Sequence, residues 1–219
     1  TLLEFRRVLF RSEDVLKTPF MAAEESSKDK PLTLANIDRF VSELEFILPL
    51  GNLNASALEK SVDLLDPQLK KPSLTFADVE GMLRGFIDLV FVQDGRYWLV
   101  DYKSNWLGKT SSDYNGDSMD QAVAEHRYDI QAALYAVALH RYLQHSLPDY
   151  QPAQHFGGVA YLFLRGMDGE KSEQGIWVRQ PDSAMLTLWD ALLTAEEQPL
   201  AGDCGEGFND GVNDADSDE

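Results

Sequence analysis

The fold of this chain is decided by two neighbouring runs, Gly85-Phe-Ile-Asp-Leu-Val-Phe-Val92 and Arg96-Tyr-Trp-Leu-Val-Asp-Tyr-Lys103. Both are rich in β-branched and aromatic residues, which favour strands, and each contains one carboxylate at an inner position. Asp94-Gly95 lies between them and is typical of a two-residue hairpin turn. If Gln93 and Arg96 flank that turn, subtraction gives the antiparallel pairs Val92–Tyr97, Val90–Leu99 and Asp88–Asp101.

The predicted pairing brings Asp88 and Asp101 together on one face of the hairpin. Directly opposed Cβ atoms lie about 4.5–5.5 Å apart, and like charges so close in an apolar sheet are destabilising unless a cation lies between them. Lys103 projects from the same face because strand side chains alternate. Taken singly, these residues are typical of caps and ion pairs. Together they favour a site for Mg²⁺, or for Mn²⁺, that could polarise a phosphodiester and activate water.

Composition narrows the class of protein. The chain has 219 residues, 44% of them hydrophobic, which is enough for one sizeable core. A formal net charge of −18 argues against a free-standing, non-specific nucleic-acid binder, although seven of the acids lie in the last eighteen residues. The single cysteine, Cys204, fits a reducing cytoplasm. No apolar run approaches the roughly 20 residues that span a bilayer, so no membrane partner is expected.

The chain divides into three parts. Residues 1–32 are expected to lie outside the core: the first twelve resemble foreign sequence, residues 13–32 are polar enough for a flexible connection, and Thr1 suggests a start within a longer protein. Residues 33–200 carry the predicted domain. Residues 201–219 form an acidic tail with too little apolar content to fold.

Hydrophobic spacing predicts the elements of this domain. Outside the hairpin we expect helices at about 33–41, 53–65, 119–145 and 183–193, a short helix or turn at 76–84, and strands at 42–49, 157–164 and 175–178. Pro49 is expected to end its strand, and Pro67–Pro72 to be a loop. The longest helix is expected to bury a stripe that includes Val137 and Tyr142. This order predicts an α/β domain, a mixed sheet with helices on its faces.

The hairpin resembles the motif of the PD-(D/E)XK nuclease superfamily: Asp88, a spacer of strand length, then Asp101-Tyr-Lys103. Its surroundings, Tyr97-Trp-Leu-Val-Asp-Tyr-Lys-Ser-Asn-Trp-Leu-Gly108 and His126-Arg-Tyr-Asp-Ile-Gln-Ala-Ala-Leu-Tyr135, are similar to nuclease domains of the RecB type. The resemblance covers roughly residues 34–179. It implies a restriction-endonuclease-like α/β fold, in which a mixed central sheet is flanked by helices.

The resemblance also implies roles for individual residues. Asp88, Asp101 and the Tyr102 carbonyl would be metal ligands, and Lys103 would be the catalytic lysine. Gln131 and Tyr135 correspond to the QxxxY element and lie one helical turn apart, so both can face the site, although a polar helix edge packed on the sheet is the alternative. An acid before the hairpin would complete the set, with Glu43 as first choice and Glu45 in reserve.

The function implied is a Mg²⁺-dependent DNA exonuclease domain of a RecB-type helicase–nuclease, of the exodeoxyribonuclease V type, acting in recombinational repair of double-strand breaks. Its partners would be DNA, RecC-like and RecD-like subunits, and the helicase portion of the parent polypeptide. RecB-type sites also use a histidine upstream of the hairpin, whereas all four histidines here follow it, at positions 126, 140, 145 and 155. His126 lies near the start of the Gln131 helix and could touch a DNA phosphate or be a plain surface residue.

Two other functions stay open. One is a catalytically impaired, nuclease-like module that serves subunit contacts or DNA guidance, which the acidic balance and the missing histidine favour. The other is carboxylate–metal chemistry on a substrate that is not a nucleic acid. The aromatic residues Trp98, Tyr102 and Trp106 could stack on exposed bases, although strand aromatics are more typical of a core. Arg165 leaves the third strand at its end, where ligand loops often lie, but could equally pair with an acid.

Overall fold

A computed structural model describes residues 13–19, 31–171 and 174–194. Its centre is a five-stranded sheet in the order β1-β2-β3-β4-β5. The strands are β1 (Phe40–Leu53), β2 (Val79–Gln93), β3 (Arg96–Lys103), β4 (Phe156–Phe163) and β5 (Ile176–Arg179). The helices are α1 (Ala55–Val62), α2 (Gly116–Glu125), α3 (Tyr128–Ser146), α4 (Pro152–His155) and α5 (Ser183–Thr194). Only β3 and β4 pair in parallel, so the sheet is mixed and the predicted α/β class is confirmed.

The central hairpin forms as its turn residues predict. Asp94 and Gly95 have φ values of 51° and 78°, the left-handed conformations that a type I′ turn requires. The β2–β3 ladder contains the predicted pairs Val92–Tyr97 and Val90–Leu99. Its last pair is Leu89–Val100, one step short of the two aspartates.

The core lies on both faces of the sheet, and the larger part is under the helices. Leu99 and Tyr161 on one face pack in a cluster with residues of α1, α3 and α5, such as Val62, Leu139 and Trp189. The other face holds a smaller cluster, formed by Leu89, Phe91, Trp98, Val100 and Leu162 of the strands together with Leu32. The helix-covered face is the one to which Asp101 and Lys103 belong, because they follow Leu99 at intervals of two residues.

The sequence prediction was wrong where β1 and β2 begin and end. Residues 33–41 contain only a 3₁₀ turn at Leu34–Asn36, and β1 already starts at Phe40. The segment 76–84 is not helical, because β2 starts at Val79. Pro49 does not end β1. Because β1 lies at the edge of the sheet, a proline, which has no N–H to donate, is tolerated within it. Both strands are longer than predicted because they pair with each other along nearly their whole length.

The long helix predicted at 119–145 is two helices. Arg127 adopts a left-handed conformation with φ 52°, which ends α2 and begins α3 in a new direction. Of the predicted stripe, Val137 is buried but Tyr142 is 51% exposed. The helices predicted near 53–65 and 183–193 and the strands near 157–164 and 175–178 are confirmed within a few residues.

Within the N-terminal segment, residues 13–17 are helical, and Thr18 is buried where its Oγ1 accepts a hydrogen bond of 2.9 Å from Gly169 N. Residues 1–12, the acidic tail and Cys204 lie outside the described part of the chain. No helix among the described residues has the length and apolar character needed to cross a membrane.

Candidate active site

A buried polar network lies at the carboxyl end of β3. Asp101 and Lys103 are 6% and 7% exposed, and Lys103 Nζ lies 2.7 Å from Asp101 Oδ2. Lys103 Nζ also donates to Gln131 Oε1 at 2.5 Å. The Gln131 amide nitrogen donates to Asp101 Oδ1 and to the Tyr135 hydroxyl, at 3.0 Å each. The structure therefore joins Asp101, Lys103, Gln131 and Tyr135 in one continuous network.

Helix α3 presents Gln131 and Tyr135 to the sheet from successive turns. Its first turn is fixed by Asp129, which is 1% exposed and accepts hydrogen bonds of 3.1 Å from Arg127 on both carboxylate oxygens. Residues four apart lie on one side of a helix, so Tyr135 is stacked below Gln131. The Tyr135 ring meets Phe46 of β1 edge-on at 5.5 Å between centroids. The QxxxY spacing thus connects the end of β3 to β1.

Asp88 is half-buried and lies beside the same end of β3. Its Oδ2 accepts a hydrogen bond of 2.9 Å from the Tyr102 N–H, so a side chain takes the place of a ladder carbonyl just beyond the last backbone pair. The N–H and C=O of one strand residue point to the same edge. The Tyr102 carbonyl consequently lies on the strand edge that faces Asp88, as the metal-ligand prediction for that carbonyl requires.

Two tyrosines that the sequence analysis did not single out enclose the ammonium of Lys103. Lys103 Nζ lies 3.7 Å from the centroid of the Tyr128 ring and 4.5 Å from that of Tyr161. The Tyr161 hydroxyl donates to the Tyr128 carbonyl at 2.7 Å, which holds the two side chains together. Tyr128 lies three residues before Gln131, a helical spacing that could have drawn attention to it. Tyr161 is the parallel partner of Asp101, which no local pattern reveals.

The titration of the site follows from its burial. Burial raises the pKa of Asp101, and the charge of Asp88 raises it further, while Lys103 and Gln131 act in the opposite direction. Burial also raises the pKa of Tyr135 and holds that of Tyr161 well above its usual range. Both phenols are therefore neutral hydrogen-bonding groups at neutral pH.

The two candidate acids of β1 lie in different settings. Glu43 falls between the ladder pairs Ser42–Leu89 and Leu44–Ile87, which puts it opposite Asp88. It has a left-handed φ of 53°, unusual for a non-glycine residue inside a strand. Glu45 forms an exposed ion pair with Arg84. His126 is exposed at the end of α2 and stacks on Tyr128, with 5.2 Å between ring centroids.

Comparison with known proteins identifies the architecture. The family model described as the PD-(D/E)XK nuclease superfamily matches residues 22–207. The chain belongs to the PD-(D/E)XK nuclease superfamily. It is 50% identical over 160 residues to the RecBCD enzyme subunit RecB of Escherichia coli, covering 71% of this chain and 14% of that protein. It is 35% identical to the subunits of the same name from Buchnera aphidicola and Mycobacterium tuberculosis, covering 85% and 87% of this chain. The chain spans less than a fifth of the length of each of these relatives.

PD-(D/E)XK nucleases generally use divalent metal ions, and the donor chemistry of this site fits one. Asp88, Asp101 and the Tyr102 carbonyl offer only oxygen atoms, which suit a hard cation. Lys103 is the ammonium next to two neighbouring carboxylates, and burial together with the charge of Asp88 raises the pKa of Asp101 in spite of it. Within the described ranges, no three His, Cys, Asp or Glu side chains form a metal-binding group. Waters and substrate oxygens would have to complete the coordination, as is usual for Mg²⁺.

Proposed function

We propose that this chain is a Mg²⁺-dependent DNA nuclease domain, carried by residues 33–200, that hydrolyses phosphodiester bonds. The observation that carries the proposal is the buried Asp101–Lys103–Gln131 network with Asp88 on the adjacent strand. Burying a lysine and an aspartate costs several kcal/mol of desolvation per ion, and here both lie beside a second carboxylate, Asp88. Two carboxylates that can hold a metal ion and an ammonium that can stabilise phosphoryl charge suit phosphodiester hydrolysis.

Each residue has a distinct task in this proposal. Asp88, Asp101 and the Tyr102 carbonyl would hold the metal ion, which when bound would supply Lewis-acid polarisation of the phosphodiester and a more acidic water. Lys103 places its ammonium beside the reacting phosphate, orients the attacking water and stabilises charge that develops on the phosphoryl oxygens. The rings of Tyr128 and Tyr161 keep that ammonium in place. Gln131 fixes the relative positions of Asp101 and Lys103.

Glu43 is the accessory acid in this proposal. It lies opposite Asp88 across the β1–β2 ladder, whereas Glu45 is already paired with Arg84. A left-handed residue inside a strand costs roughly 1–2 kcal/mol, and such outliers cluster at functional sites. Its distinctive backbone is therefore the reason for choosing Glu43 over Glu45.

The wider context is also part of the proposal. We infer from the relatives named as RecBCD subunits that the parent protein is a cytoplasmic helicase–nuclease with RecC-like and RecD-like partners. The reaction would then be exonuclease cleavage during recombinational repair of double-strand breaks. Strands delivered by a motor would compensate for the acidic surface of the chain, because the motor and not the domain would supply affinity for DNA.

The test is cleavage of linear single-stranded DNA in Mg²⁺ by the wild-type chain and by Asp101→Ala and Lys103→Ala. We expect the wild type to cleave and each variant to lose at least about 10²-fold to 10³-fold in rate, the usual effect of removing one group that stabilises developing charge. The matched control is Glu45→Ala, which removes an exposed ion pair and should keep full activity. Equal and negligible cleavage by wild type and variants, with DNA binding intact, would instead indicate the impaired, nuclease-like module.

A further inference from the structure

Trp106 differs from every other tryptophan in the chain. Trp98, Trp177 and Trp189 are at most 4% exposed, whereas Trp106 is 61% exposed. An exposed indole forgoes the favourable free energy of burying a large apolar surface. The sequence-based expectation that strand aromatics belong to the core holds for Trp98 but not for Trp106, which lies in the loop after β3.

The loop that carries Trp106 is held on both sides of it. The Tyr114 hydroxyl donates to the Asn105 carbonyl and accepts from Leu107 N, at 3.3 Å each, and Tyr114 is 1% exposed. The Asn105 side chain accepts from the Tyr128 hydroxyl at 3.2 Å. Fixed neighbours therefore present the Trp106 ring to solvent, and a ligand that meets the ring needs to order little of the chain.

A cation lies next to the exposed ring. The guanidinium carbon of Arg165 is 5.7 Å from the centroid of Trp106, and Arg165 Nε donates to the Ser104 carbonyl at 3.0 Å. Among the described residues, no carboxylate forms a salt bridge with Arg165, so its terminal amino groups can still meet an anion. The pair combines a flat aromatic surface with a positive charge that no described carboxylate neutralises.

The pair also lies beside the proposed reaction centre. Strands β3 and β4 are parallel, so their carboxyl ends lie side by side. Lys103 is the last residue of β3, and Arg165 lies two residues after the end of β4. Trp106 follows Lys103 by three residues, which limits their Cα separation to about 11 Å. Tyr128 connects the two places, since its ring contacts the Lys103 ammonium and its hydroxyl bonds to Asn105.

We propose that Trp106 and Arg165 form a stacking platform for an unpaired nucleotide next to the scissile phosphate, with the indole under the base and the guanidinium on the phosphate. This inference rests on the proposed nuclease function and adds a preference for single-stranded nucleic acid. Bases in a duplex have both faces covered, whereas a single strand can place a base on an exposed aromatic ring. The platform is not part of the chemistry; it positions the strand.

Tryptophan emission gives a direct test that needs no cleavage. With Ca²⁺ in place of Mg²⁺, an oligothymidylate of about 12 nucleotides is titrated into the wild-type chain, Trp106→Phe, Trp106→Ala and the control Tyr142→Ala. Tyr142 is another exposed aromatic residue, 51% accessible to solvent, near the far end of α3. We expect quenching of wild-type emission, an affinity at least about tenfold weaker in Trp106→Ala, near wild-type affinity without quenching in Trp106→Phe, and no effect of Tyr142→Ala.

Arg165→Gln tests the phosphate contact separately. Each phosphate neutralised on a single strand contributes about 0.7 to the slope of log K against log salt concentration, so this variant should lose about that much. Unchanged emission at saturating oligonucleotide, or equal affinity of Trp106→Ala and wild type, would overturn the platform. A wild-type chain that binds and is quenched but does not cleave in Mg²⁺ would contradict the nuclease proposal and leave the platform standing.

Discussion

Two buried ionic groups lie at the start of α3, and they are balanced in different ways. In the anchor cluster, defined here as Asp129, Arg127 and Lys71, one carboxylate receives Arg127 on both oxygens and Lys71 Nζ at 3.3 Å. In the site network, defined as Asp101, Lys103 and Gln131, the carboxylate receives one lysine and one neutral amide. Asp88 adds a second negative charge beside the site network. Asp129 is thus paired with two cations, although Arg127 and Lys71 also pair with the more exposed Glu59 and Asp63, whereas Asp101 is paired with a single lysine.

The difference teaches what each group is for. Cations on both sides of Asp129 fix a backbone that must change direction at Arg127, and Arg127 further donates to the Pro72 carbonyl at 2.6 Å. A carboxylate saturated in this way is a poor ligand for an added ion. Asp101 keeps an imbalance that burial makes expensive, and such imbalance is a feature of functional sites. Stability and chemistry are thus divided between residues two positions apart on α3.

The largest effects should come from removing the same charge in each group. Asp129→Asn takes the buried carboxylate away from Arg127 and Lys71, which are left with the more exposed Glu59 and Asp63, and should lower the free energy of unfolding by about 3 kcal/mol, measured by urea denaturation. Asp101→Asn should cost less stability, because burial already disfavours the charged form of Asp101 and Asp88 adds to that effect, and it should abolish cleavage. Activity of Asp129→Asn, corrected for its folded fraction, should stay near wild type. A stable Asp129→Asn or an unfolded Asp101→Asn would break the comparison.

Gln131→Ala should have an intermediate effect on rate. It removes one acceptor from Lys103 and one donor from Asp101, so both groups lose their fixed geometry, and we expect kcat to fall about 10²-fold. Since the Gln131 hydrogen bond lowers the pKa of Asp101, its loss should also shift the acid limb of the pH–rate profile to higher pH. Gln121→Ala is the matched control, because that amide donates to exposed Glu125 on α2, away from the site network. If the pH–rate profile of Gln131→Ala were unshifted, Gln131 would have only a packing role.

The smallest effect should come from another buried polar residue, which lies farther along α3 and outside both groups. His140 is 3% exposed and its Nδ1 lies 2.9 Å from the Tyr150 hydroxyl. Burial lowers the pKa of His140, so the unfolded chain binds this proton before the folded one does. The melting temperature should therefore fall as pH drops below about 6.5, and His140→Gln should weaken that dependence. A dependence unchanged in the variant would show that other groups cause it.

Local chemistry made much of the hairpin predictable. Asp94-Gly95 fixes a turn, the turn fixes the register, and alternation then puts Asp101 and Lys103 on one face, where they form an ion pair. The break between α2 and α3 escaped prediction, because an arginine in a left-handed conformation leaves no mark in the apolar spacing. Its cause is the distant set of partners around Asp129.

The position of Asp88 shows a second limit of prediction. Subtraction places it opposite Asp101, but the backbone ladder stops one pair earlier and the carboxylate accepts the Tyr102 amide instead. Ile87 and Val90 both pack in the helix-covered core although they are three residues apart. Alternation therefore shifts by one residue at this point of β2, opposite the left-handed Glu43 of β1.

The sequence by itself determined the hairpin and the spacing of its acids and lysine, because turn chemistry and periodicity act between close neighbours. The resemblance to RecB-type nucleases singled out Gln131 and Tyr135, and helical spacing put them on one side of a helix. Only the tertiary structure decided which groups surround the Lys103 ammonium. The Tyr161 ring contacts the ammonium because β3 and β4 pair in parallel. The Phe46 ring contacts Tyr135 because β1 packs against α3. Those contacts join segments far apart in the chain, so they depend on the packed sheet and helices and not on any local pattern.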